Sequence, residues 1–151
     1  MNKRIFIDSF ATVGKRGPKD VETEVRTSAL LEEMEWCGIH GAFIAHATAR
    51  EYDPMFGNRM LLQELKLSPR LYGVWTVMPH HTGEAPPPED LVAEMVDHGI
   101  SAAKMYPRSH RYPFNLDFCG DLLGSLERNG VLLMLEGGHL YGPDLLEPAN
   151  Q

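Results

Sequence analysis

Lys104 and Glu136 are the residues of this sequence best suited to acid–base or charge chemistry, because each lies near the end of a short apolar run that reads as a buried strand. A lysine within Ser101-Ala102-Ala103-Lys104-Met105-Tyr106-Pro107 is a strong source of positive field. It can bind an anion or, with its pKa depressed, act as a base. Glu136 closes Val131-Leu132-Leu133-Met134-Leu135-Glu136 and can pair with Lys104, accept a proton or ligate a metal. The two form the expected catalytic pair, against the plain alternative of a structural ion pair. His46, His80, Arg108, His110 and His139 fall at or just beyond the ends of such runs and are the expected substrate-binding residues. The segments Arg50-Glu51-Tyr52-Asp53 and Arg108-Ser109-His110-Arg111-Tyr112 supply arginines that can grip a carboxylate in bidentate fashion, although loops are polar whatever they do. The histidines do not spell a metal site. Adjacent side chains such as His80 and His81 are expected to point apart, and zinc needs three or four convergent ligands.

Five runs must position these residues: Ile5–Ser9, Gly41–His46, Leu71–Pro79, Ser101–Pro107 and Val131–Gly138. They begin about 30 residues apart, the length of a strand, a helix and their connections. Helical spacing fills the intervals. Val21, Val25, Ala29, Leu30 and Met34 form one apolar stripe, capped by Asp20 or Thr23. Met60, Leu61 and Leu65 form a second stripe within Gly57–Leu67. A third helix starts in Pro86-Pro87-Pro88 and carries Leu91, Val92, Met95 and Val96, and a fourth spans Leu116–Arg128. The longer loops, 11–19, 47–56, 80–85 and 108–115, follow the strands and belong on one rim, where parallel β/α proteins carry their chemistry. The strands lack polar alternation, which suits a sheet covered on both faces. The expected fold is α/β, a single domain over residues 1–151. Five parallel units are too few for a closed eight-stranded barrel. The alternatives are a partial barrel of TIM type and an open doubly wound, flavodoxin-like sheet.

Composition narrows the partners. A hydrophobic content of 43% fits one globular domain, and a net charge of −7 without a basic block disfavours nucleic acid and anionic membranes. No run approaches the roughly 20 apolar residues of a membrane span, and Ile5-Phe6-Ile7 is too short for a signal peptide, so a cytoplasmic protein acting on a small molecule is expected. Cys37 and Cys119 sit in helical patterns and read as reduced, mostly buried thiols. Trp75 and Met78 read as core.

The segments Asp53-Pro54-Met55-Phe56-Gly57-Asn58-Arg59, Ser68-Pro69-Arg70-Leu71-Tyr72-Gly73-Val74-Trp75-Thr76-Val77-Met78-Pro79 and Ala103-Lys104-Met105-Tyr106-Pro107 resemble the amidohydrolase-related family of metal-dependent hydrolases and decarboxylases. The resemblance implies a TIM-type barrel truncated after its fifth unit, with Lys104 in the family's fourth-strand lysine position. It also implies a divalent metal, zinc or manganese, held by two first-strand histidines in an Asp-Ser-His-x-His motif. This sequence reads Asp8-Ser9-Phe10-Ala11-Thr12 there, and Glu136 occupies the place of a fifth-strand histidine. Phe10 and Thr12 cannot replace imidazole ligands, so no bound metal is expected. Two functions follow: an amidohydrolase-like hydrolase or lyase acting on small carboxylated substrates, or an inactive truncated homologue serving as a binding or assembly module. Unpaired edges on a five-strand segment further predict a homo-oligomer.

Overall fold

A computed structural model of the chain describes residues 4–17 and 24–136. Its strands are β1 (Ile7–Lys15), β2 (Glu24–Val25), β3 (Gly41–His46), β4 (Leu71–Thr76), β5 (Ala102–Met105) and β6 (Leu132–Leu135). Its helices are α1 (Thr27–Cys37), α2 (Ala47–Glu51), α3 (Pro54–Glu64), α4 (Pro88–Asp97) and α5 (Leu116–Arg128). The strands form one six-stranded sheet in the order β2-β1-β3-β4-β5-β6, antiparallel only between β2 and β1. The architecture is α/β, a mostly parallel sheet built from alternating β/α units. No described helix is long and apolar enough to cross a membrane.

Local chemistry fixes the helix ends. Asp53 and Asn115 accept the backbone N–H of Phe56 and Phe118 at 2.7 and 3.0 Å, capping α3 and α5. Proline occupies the first turn of α3 and of α4, where no donor is lost. Gly57 is needed at the contact of α3 with α2, since a Cβ there would lie 2.1 Å from Ala49 N.

Several expected boundaries move. The first strand does not end at Ser9; it continues to Lys15 through the β-branched Thr12 and Val13, because Gly14 and Lys15 pair with β2. Val25, expected on the first helix, belongs to β2, while Asp20, Val21 and Thr23 lie outside the described residues. The expected 47–56 loop is mostly helix, leaving Tyr52 and Asp53 between α2 and α3. Met60 and Val96 are exposed, and so is Cys37, whereas Cys119 is buried as expected. Trp75 and Met78 are core.

The two faces of the sheet differ among the described residues. The main core joins strand residues such as Ile44, Trp75 and Met105 to Met34 of α1, Leu61 of α3, Leu91 of α4 and Leu122 of α5. A second cluster, Ala45, Val74 and Ala102 with Phe10, Phe43 and Met134, contains strand residues alone. The described helices therefore pack on one face. On the other face, side chains of strands that are not neighbours meet. β1 and β5 are separated by two strands, and three spacings of about 4.8 Å would hold them roughly 14 Å apart in a flat sheet. Yet Lys104 Nζ of β5 lies 3.3 Å from the centroid of the Phe10 ring of β1. The sheet is concave on this face.

Candidate functional site

A bulge in β1 builds the first wall of the concave face. Asp8 pairs with Ala42 and Ala11 with Ile44, so three steps along β1 match two along β3. In a regular strand Phe10 would share the face of Asp8. The extra residue shifts the alternation and sends Phe10 to the side of Phe43 and Ala45, and Asp8 Oδ1 fixes the bulge by accepting the Phe10 N–H at 3.0 Å.

Alternation from Ala102 and Met134 carries Lys104, Tyr106 and Glu136 to the same face. Lys104 is half-buried, with the Phe10 ring beneath its ammonium and the Tyr106 centroid 5.5 Å away. It forms no ion pair with a described residue. Thr76 stands opposite it in the sheet register, and the buried Thr76 hydroxyl has no hydrogen-bond partner among the described residues. Burial and then the nearby Arg50 guanidinium push the Lys104 pKa below the ordinary lysine value, partly offset by Glu136.

Glu136 pairs with Arg50 rather than directly with Lys104. Arg50 Nη2 approaches Glu136 Oε1 at 3.1 Å and donates to Ser109 Oγ at 3.2 Å. The Ser109 hydroxyl and N–H donate to the Glu136 carboxylate at 2.6 and 3.2 Å. Arg50 also sits over Tyr106, with Cζ 5.1 Å from the ring centroid. His110 Nε2 donates to the Arg50 carbonyl at 2.9 Å, tying the loop after β5 to α2. Burial raises the Tyr106 pKa to about 12, so its hydroxyl keeps its proton at neutral pH.

The structure thus gathers Lys104, Glu136 and His110 and scatters the rest of the expected set. His46 pairs in register with the core residue Val13 and lies on the helix-covered face, where its Nδ1 accepts the Thr48 N–H at 3.2 Å. The sheet separates it from Lys104. Arg108 is exposed and makes no hydrogen bond or ion pair with a described residue. His80 and His81 do not point apart: a tight 3-10 turn sets their rings 4.8 Å apart, and neither joins the cluster. His139 lies outside the described residues. Tyr106, Ser109 and Phe10 were not among the expected site residues. The i, i+2 spacing of Lys104 and Tyr106 was the available signal for Tyr106; the β1 bulge, which places Phe10, has none.

The divalent metal that the resemblance implies does not fit these residues. Phe10 and Thr12 face the concave side without a ligand atom comparable to imidazole, the Phe10 ring is covered by Lys104, and His46 is on the far face. Among the described residues no three His, Cys, Asp or Glu side chains are grouped to hold a metal ion. No family model and no curated protein matches the sequence.

Proposed function

We propose that this chain is an amidohydrolase-like (β/α) protein, a partial barrel of about five units, whose concave face binds a small carboxylated molecule. The observation that carries the binding reading is the placement of Lys104, a half-buried ammonium without an ion-pair partner among the described residues, beside Arg50. A carboxylate supplies the missing counter-charge. The barrel reading is supported by the uninterrupted succession of parallel strands, by helices on one face and by the curl of the sheet. A flavodoxin-like sheet would reverse its strand order at a switch point and carry helices on both faces.

In the catalytic form of this reading Lys104 anchors the carboxylate and Glu136, oriented by Arg50 and Ser109, accepts a proton. A second form, a binding module without turnover, draws support from the same hydrogen bonds, because they already occupy both oxygens of Glu136. Calorimetric titration with succinate and benzoate tests the shared claim. Saturable binding by the wild type that is lost in Lys104→Met and kept in Arg108→Met supports it; equal heats in wild type and Lys104→Met overturn it. Hydrolysis or decarboxylation of a bound acid then separates the two forms.

A further inference from the structure

We infer that Lys104 is a nucleophile that condenses with a small oxo acid to form an imine, with Arg50 holding the acid's carboxylate. This rests on the carboxylate-binding reading and adds the substrate class. A lysine condenses with a carbonyl when its amine is partly desolvated, fixed on a rigid element and placed beside another cation. Lys104 meets all three conditions: it lies on β5, is half-buried against Phe10, and shares the Tyr106 ring with Arg50. The same burial and the same arginine lower its pKa, which enlarges the share of neutral amine.

Among the described residues the other two lysines lack this setting. Lys66 is exposed and donates to Gln63 Oε1 at 2.9 Å, and Lys15 is exposed on β1. Arg50 is suited to the carboxylate because its two side-chain hydrogen bonds, to Glu136 and Ser109, both use Nη2 and leave its other N–H groups to a ligand.

The step balances without a redox partner. The Nζ lone pair attacks the carbonyl carbon and the C–O π pair moves to oxygen. The two nitrogen protons pass to that oxygen, which leaves as water, and a C=N bond remains. Tyr106, protonated at neutral pH, is a proton donor on this face.

Reductive trapping of the 151-residue chain tests the inference. The protein is treated with sodium cyanoborohydride and either pyruvate or propanal, and the adduct is located by peptide mapping; succinate binding is measured in parallel. The inference predicts a pyruvate adduct at Lys104, in excess over the propanal adduct, and its loss in Lys104→Arg, which keeps the cation but cannot form an imine. The wild-type map assigns the site by itself, so a misfolded variant does not leave the matter undecided. Adducts spread over Lys15 and Lys66 according to exposure, with none preferred at Lys104, overturn the inference. Succinate binding without trapping at Lys104 overturns the imine and leaves the carboxylate reading standing. Equal trapping of propanal and pyruvate at Lys104 overturns the role of Arg50, and together with an absence of succinate binding it also overturns the carboxylate reading.

Discussion

Asp8 holds Phe10 on the concave face: its Oδ1 accepts the Phe10 N–H at 3.0 Å inside the one bulge of the β1–β3 pairing. A regular strand at this point would turn the ring toward the helices. Asp8→Ala should therefore cost about 1 kcal/mol for the lost hydrogen bond. Asp8→Asn, which keeps an acceptor, should cost less. Urea denaturation compares them, and equal losses would show that the acceptor does not hold the bulge.

Phe10 and Lys104 should be energetically coupled. A desolvated ammonium over a phenyl ring contributes about 0.5–2 kcal/mol, and a double-mutant cycle of Phe10→Ala and Lys104→Met isolates it. A coupling near zero would mean that the two side chains do not meet in solution.

Much of this arrangement was legible in the sequence, and the reason is periodicity. The β3 run and α5 are found at their expected bounds, because Gly41, Gly130 and the apolar spacing between them mark real ends. Lys104 and Glu136 come to one face because alternation along adjacent parallel strands needs no tertiary information. His46 lies on the opposite face from Lys104 because its position at a strand end fixes its height on the sheet but not its face, which depends on parity relative to Val13. Arg50 reaches Glu136 across an interval of 86 residues, and nothing local encodes that contact. Which face the described helices cover was not legible, because an apolar strand looks the same from either side.

Asn58 should be a large stability determinant. It is buried, donates to Thr76 O at 2.8 Å and accepts from Thr76 N at 2.9 Å, locking α3 to the end of β4 beside Lys104. Asn58→Ala leaves both backbone groups without partners and should cost about 3 kcal/mol, whereas the exposed neighbour Arg59→Ala should stay within about 0.5 kcal/mol. Similar losses at the two positions in chemical denaturation would contradict the clamp.

Alkaline titration should show the buried tyrosines. Burial raises Tyr106 from 10.0 to about 12 and moves Tyr112 in the same direction. Between those values the native state binds more protons than the unfolded chain, so the contribution of Tyr106 to stability is complete below pH 10 and is lost as pH rises toward 12. Lys104 acts oppositely: its lowered pKa makes stability rise with pH between its folded value and 10.5. Tyrosinate absorbance should arrive in two stages, the later one accompanied by loss of far-ultraviolet circular dichroism. One stage centred at 10.0 would place Tyr106 in water.

Self-association should accompany the open edges. Among the described residues β6 pairs only with β5, and β1 meets β2 only at Gly14 and Lys15, while Ile5, Phe6, Ile7, Trp36 and Leu132 are exposed. Such edges and apolar residues favour association. Light scattering at low micromolar concentration should give a mass above the 17.0 kDa of one chain, and a clean monomer would refute this.

The most direct test of the carboxylate site observes Lys104 itself. With lysine ε-carbons labelled and the Lys104 resonance identified by its absence in Lys104→Arg, succinate is titrated while the lysine signals are followed by nuclear magnetic resonance. The proposed site predicts a saturable shift at Lys104 alone, with Lys15 and Lys66 unmoved; a Lys104 signal that stays in place, or drifts in step with those exposed lysines without saturating, would contradict it.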